Sequence, residues 1–267
     1  MPFASVDDAV LHHRFDGDGG LPTLVLSNGL GTDLSMWDSQ VPALARAFHV
    51  LRYDTRGHGG SSTPRGPFSM ERLGCDVLRL LDLAGIARAH FCGLSMGGMI
   101  GMWLGINASD RLATLTLANT AARIGPVTMW NERIAVVMTA GMSAISDAAV
   151  ARWFTPGFVT ENPDVVAKVK SAMERTSPEG YAQCCAAVRD ADFNDDVARI
   201  ATPVLVINGA HDVATPPTEG HFLAQRIPGA RCVTLNAAHL SNIEAPLEFG
   251  DALRSFCRVD HASMRGS

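Results

Sequence analysis

Short runs of apolar and β-branched residues recur along the chain at residues 23–27, 49–53, 90–92, 115–117, 204–208 and 232–235. Each is bounded by Gly, Pro, Asn or Asp and reads as a strand. Four of them lack the apolar/polar alternation of a half-exposed sheet, which suits a mainly parallel sheet covered on both faces. Between them lie stretches with apolar residues at helical spacing, at 35–47, 69–83, 96–107, 218–227 and 246–257. Strands alternating with helices predict a doubly wound α/β fold. His12 and His13 fall in an edge-strand pattern.

From residue 122 to residue 196 the alternation stops. Helical periodicity continues at 127–140, 146–154, 165–174 and 179–189, and no strand pattern interrupts it. The expected organisation is a core of residues 1–121 and 197–261, a helical cap inserted at 122–196, and a tail at 262–267. Such a cap would lie over the strand C-termini, where open α/β sheets place their ligands. The pattern leaves the oligomeric state open, since an apolar cap face can pack on the core or on a second subunit.

Composition narrows the function. The chain has 267 residues, 47% hydrophobic and 18% charged, which is a globular balance. A net charge of −5 offers no broad basic surface, so nucleic acid is not expected as a partner. The longest apolar stretch, near residues 99–106, is too short to span a bilayer, and the N-terminus lacks the basic and apolar regions of a secretory signal. A cytoplasmic protein without a membrane partner is expected. The six cysteines form no C-x-x-C pair and read as reduced, mostly buried hydrophobes. No histidine spacing suggests a metal, and no G-x-G-x-x-G follows a strand, so no cofactor is expected.

The chemistry concentrates at Gly93-Leu94-Ser95-Met96-Gly97-Gly98, which follows one strand and opens a helix. The bare G-x-S-x-G pattern is common, and the strand before it and helix after it give it weight. A sharp strand-to-helix turn brings neighbouring backbone so close that residues two before and two after the serine have no room for a Cβ. The serine hydroxyl is then presented at a helix N-terminus, where backbone N–H groups can hold an oxyanion.

A serine needs a base to take its proton and a carboxylate to orient that base. In this fold class the chain order is Ser, acid, His. Of the histidines beyond the cap, His221 sits in a helix pattern, His261 in the tail, and His211 beside the best acid. His239 follows a strand after a three-residue loop and is the expected base. Asp212, at the end of the 204–208 strand, is the expected acid; Asp192, Asp195 and Asp196 read as solvated charges or caps. The oxyanion donors are expected to be the N–H of Met96 and, from the glycine-rich turn 27–31, that of Leu30. A plain tight turn would keep the same glycines.

Asn28-Gly29-Leu30-Gly31, the segment from Asp54 to Ser61, Gly93 to Gly98, Asp212 and His239 together resemble the α/β-hydrolase superfamily along nearly the whole chain. That resemblance implies an α/β-hydrolase fold, a Ser95-His239-Asp212 triad and a structural role for residues 54–61. Superfamily members often carry His where this chain has Asn28. A narrower similarity, in Asn119 to Gly125, Trp130 to Ile134 and Gly141-Met142, is to 3-oxoadipate enol-lactonases. It implies acyl-enzyme hydrolysis of a small carboxylate-bearing enol-lactone to 3-oxoadipate in aromatic catabolism. The alternatives are a broad carboxylesterase, a cofactor-free haloperoxidase or perhydrolase relative, and a ligand-binding relative without turnover.

A carboxylate-bearing substrate calls for a cation. Arg123 and Arg133 are the two early cap arginines, with Trp130 between them as a candidate apolar wall. At least one arginine is expected to pair with the substrate; surface ion pairs, and a plain core role for Trp130, are the competing readings.

Overall fold

The computed structural model describes residues 2–264, with side chains through residue 258. Arg265 to Ser267 and the side chain of His261 lie outside the described residues. The strands are β1 (Phe3–Val6), β2 (Ala9–Asp16), β3 (Thr23–Ser27), β4 (His49–Tyr53), β5 (Ala89–Leu94), β6 (Leu112–Ala118), β7 (Val204–Gly209) and β8 (Arg231–Leu235). They form one sheet in the order β1-β2-β4-β3-β5-β6-β7-β8. From β4 to β8 all pairings are parallel, while β2 runs antiparallel to both β4 and β1.

Residues in β3, β5 and β7 are buried on both faces, in keeping with their largely apolar sequences. The core helices are α1 (Val41–Leu44), α2 (Met70–Leu83), α3 (Met96–Asn107), α9 (Pro217–Arg226), α10 (Ser241–Glu244) and α11 (Pro246–Met264). Ser69 caps α2 by accepting from the Arg72 N–H. Helix α3, apolar nearly all round, packs on β5 and β6 and is covered by α2.

Between β6 and β7 lie α4 (Val127–Ala140), α5 (Ser143–Trp153), α6 (Pro156–Glu161), α7 (Pro163–Glu174) and α8 (Pro178–Asp190). Helices α4 and α8 pack side by side, and the Phe193 N–H donates to the Ala122 carbonyl at 2.9 Å, so the two ends of this helical segment meet. Its α8 end rests on the core where Gly180 meets Gly57; a Cβ on Gly57 would lie 2.5 Å from the Gly180 Cα.

Four expectations are corrected. The helix expected over 35–47 is broken into a 3-10 turn, Leu34–Trp37, and the short α1. Pro42 sits in the first turn of α1, where a missing N–H costs nothing, whereas inside a continuous helix it would break the hydrogen-bond ladder. His12 and His13 lie one strand in from the edge, because residues 3–6 pair outside them as β1, across a turn with Asp7 at φ 47°. The six-residue α6 was hidden by the turn signal Pro156-Gly157. Finally, the last helix runs through Met264, into the expected tail.

Candidate active site

Ser95 stands at the junction of β5 and α3 with φ 58° and ψ −116°, a backbone strain that a non-glycine residue adopts only when its surroundings enforce it. The enforcement is visible. The Ser95 N–H donates to the Ala118 carbonyl at 2.9 Å, and its own carbonyl accepts from Thr120 Oγ1 at 2.8 Å. A Cβ on Gly93 would lie 2.0 Å from the Gly97 carbonyl oxygen, and one on Gly97 would lie 2.3 Å from that of Ser27. The glycines therefore allow the backbone approach that aims the hydroxyl out of the turn.

His239 follows β8 and Asp212 follows β7; both are buried. His239 Nδ1 is 2.8 Å from Asp212 Oδ2. The same oxygen accepts from Thr215 Oγ1 at 2.8 Å and Asn119 Nδ2 at 2.9 Å, while Oδ1 accepts from the backbone N–H groups of Ala214 and Thr215 at 2.8 and 3.0 Å. Burial opposes the charge on Asp212, but the His239 imidazole and these donors outweigh it and hold the carboxyl at about 2. The pairing fixes the proton on Nδ1 and leaves the Nε2 lone pair for a hydroxyl. Among the described residues no hydrogen bond yet joins Ser95 Oγ to His239, although both line one cavity. Contacts of this kind often tighten only with substrate in place.

That cavity has a volume of about 150 Å³, roughly what holds a benzene ring, so it suits one small ring rather than a long chain. Leu30 and Met96 border it beside Ser95, and among the described residues neither backbone N–H has a protein acceptor. Trp130 and Arg133, from α4, line it as well. Trp130 is buried, anchored by Nε1 donating to the Ile124 carbonyl, and the Arg133 guanidinium lies 4.9 Å over its ring.

Arg123 is not there. It is half exposed and pairs with Asp192 at 3.3 Å. The second cavity arginine is instead Arg152, from α5. Burial and the charge of Arg133 both push its pKa down, and the charges of both arginines bear on the buried Tyr181 phenol. Among the described residues no carboxylate lies within ion-pair distance of Arg133 or Arg152. Two guanidiniums thus share a small cavity without a carboxylate partner, an arrangement able to hold an anion.

Sequence reasoning also missed two supports of His239. Asn119, at φ 43°, bridges Asp212 and the Ala238 carbonyl through its side-chain amide. Glu244 accepts from the Ala238 N–H at 2.8 Å and from the N–H and hydroxyl of Thr155 in the helical segment above. The Leu240 N–H donates to the Trp153 carbonyl at 3.0 Å, so both neighbours of His239 are tied to that segment. Asn28 bridges the Tyr53 carbonyl and Trp37 Nε1; its side chain is occupied in the core, and its substitution for His leaves the turn's backbone free.

A strained serine between strand and helix, with a histidine-carboxylate pair after the last two strands, defines an α/β-hydrolase. The chain belongs to the alpha/beta hydrolase fold family, whose pattern matches residues 22–246, and it is a hydrolase. It is 43% identical to 3-oxoadipate enol-lactonase 2 of Acinetobacter baylyi, over 94% of each chain, and 38% identical to 3-oxoadipate enol-lactonase 1 of that organism, over 92% of each. Among solved structures it is similar to the enol-lactonase from Burkholderia xenovorans, with a TM-score of 0.94 and 48% identity over 96% of this chain and 99% of that one. Among the described residues no helix is long and apolar enough to cross a membrane.

Proposed function

We propose that this hydrolase opens 3-oxoadipate enol-lactone to 3-oxoadipate in the catabolism of aromatic compounds, in the cytoplasm, with Ser95 as nucleophile, His239 as base and Asp212 as its orienting acid. The observation that carries the substrate class is the pair Arg133 and Arg152 facing the Ser95 cavity without a carboxylate partner. The similarity to the enol-lactonases of Acinetobacter baylyi and Burkholderia xenovorans supports the ring. Residues 122–196 act in this reading as the lid that brings the arginines over the serine.

In the acylation step His239 Nε2 takes the Ser95 proton and Oγ bonds to the lactone carbonyl carbon. The Leu30 and Met96 N–H groups hold the tetrahedral oxyanion. Its collapse breaks the ring C–O bond, and the enol oxygen leaves with the proton from His239 and tautomerises to the ketone. Little acid strength is needed for such a stabilised leaving group. Water, deprotonated by His239, then attacks the acyl carbon and frees Ser95. Throughout, the substrate's distal carboxylate stays with Arg133 and Arg152, and Trp130 walls the ring.

Mass spectrometry after a fluorophosphonate probe tests the catalytic assignment. Labelling of Ser95 that disappears in His239→Ala is expected; a folded protein that never labels would instead mark a binding relative without turnover.

A further inference from the structure

The turn that carries the Leu30 N–H is itself held from below. The Thr32 N–H donates to the Gly29 carbonyl at 3.2 Å and Gly31 has φ +80°, which together make residues 29–32 a type II turn. Type I and type II turns differ by a flip of the central peptide, here Leu30–Gly31. In this protein the Gly31 N–H of that peptide donates to His58 Nε2 at 2.9 Å. His58 is 1% exposed, and its Nδ1 faces the Arg56 carbonyl at 3.4 Å. That contact puts the ring proton on Nδ1 and the lone pair on Nε2. Burial keeps the ring neutral, pushing its pKa down to about 4. Tyr181 and Cys184 of α8 cover the imidazole, with the Tyr181 ring centroid 6.3 Å away and Cys184 Sγ 4.0 Å from Nδ1.

We propose that His58 is a positioning residue for oxyanion binding: its Nε2 lone pair accepts the Gly31 N–H and so fixes the 29–32 turn with the Leu30 N–H facing the reacting carbonyl oxygen. A flipped central peptide would set the Leu30 carbonyl oxygen against that lone pair; with that alternative removed, the Leu30 Cα is held in place, and with it the adjoining Gly29–Leu30 peptide that carries the Leu30 N–H. The histidine touches no substrate; it acts through the turn. The same lone pair explains why a buried, neutral imidazole sits in a loop that otherwise serves as scaffold. This inference rests on the triad reading above.

The test compares His58→Leu, which deletes the acceptor, with His58→Gln, whose Oε1 reaches the place of Nε2. Each folded variant is assayed with p-nitrophenyl acetate and with phenylboronic acid, which adds to Ser95 as a tetrahedral anion. His58→Leu is expected to lose kcat and boronate affinity together, by about 10- to 100-fold, less than deletion of an oxyanion donor, with KM within twofold. His58→Gln is expected to recover most of both. Unchanged kcat and boronate affinity in His58→Leu would overturn the proposal, as would a His58→Gln variant no better than His58→Leu. Should His58→Leu not fold, His58→Asn, whose oxygen falls short of Gly31, takes its place in the same comparison. Ser95→Ala is run alongside: activity surviving in it would overturn the triad reading itself, a result distinct from any behaviour of the His58 variants.

Discussion

Replacing Asp212 with Asn removes one charge and almost no volume. Asp212 accepts from five donors, three of them converging on Oδ2: His239 Nδ1, Thr215 Oγ1 and Asn119 Nδ2. An amide has a single oxygen. With that oxygen kept on the Ala214 and Thr215 backbone donors, the new NH2 group meets the other three, and the imidazole relieves the clash by taking its proton on Nε2. The nitrogen that should accept the Ser95 proton is then already protonated. A wrong tautomer of this kind costs about 10⁴ in kcat, which is about 5.5 kcal/mol. The assay is p-nitrophenyl acetate and enol-lactone turnover at pH 7, with circular dichroism to establish folding. The pH dependence of stability gives a second reading. The Asp212 carboxyl is held at about 2 against an ordinary 3.8, so its charge stabilises the fold above pH 4 by roughly 2 kcal/mol, lost as pH falls through 2. Asp212→Asn should flatten that part of the acid-unfolding profile. A folded variant with less than a tenfold loss of kcat would show that Asp212 does not orient the base.

Three further substitutions probe the proposed anion subsite and the proposed lid. Arg133→Met or Arg152→Met removes a charge-assisted contact worth roughly 1.5–3 kcal/mol, so KM for the lactone should rise about 10- to 150-fold while p-nitrophenyl acetate kinetics stay within twofold; equal effects on both substrates would sink the subsite. Glu244→Gln leaves one oxygen for the Ala238 and Thr155 donors, a loss of about 1–3 kcal/mol that should lower Tm by several degrees and kcat about tenfold, and unchanged kcat would detach Glu244 from the placement of His239.

How far the sequence could be read follows from the range of the interactions. The turn around Ser95 is legible because strand, glycines and helix are consecutive along the chain, even though Ala118, Thr120 and Ser27 enforce it from elsewhere. β3 and β7 announce themselves because burial on both faces leaves an apolar run, at 24–26 and 204–207. His239 and Asp212 were legible as residues just past strand ends, where this topology gathers side chains. The arginines of the helical segment were not. Arg123, Arg133 and Arg152 look alike in sequence, and only the packing of α4, α5 and α8 decides which reach the cavity. Asp192 captures Arg123 on the surface, and Arg152 takes the place expected of it. His58 was unreadable for the same reason, since its partner Gly31 comes from a different loop. The 35–47 stretch keeps apolar spacing on both sides of Pro42, so its periodicity does not show the break that the proline makes.

The most direct test of the account is ring opening of freshly generated 3-oxoadipate enol-lactone, followed by ultraviolet absorbance, beside p-nitrophenyl acetate hydrolysis at equal enzyme concentration. The account predicts a kcat/KM for the lactone several orders of magnitude above that for the ester, with both activities lost in Ser95→Ala. Ester hydrolysis equal to or faster than lactone opening would contradict it and leave a general carboxylesterase.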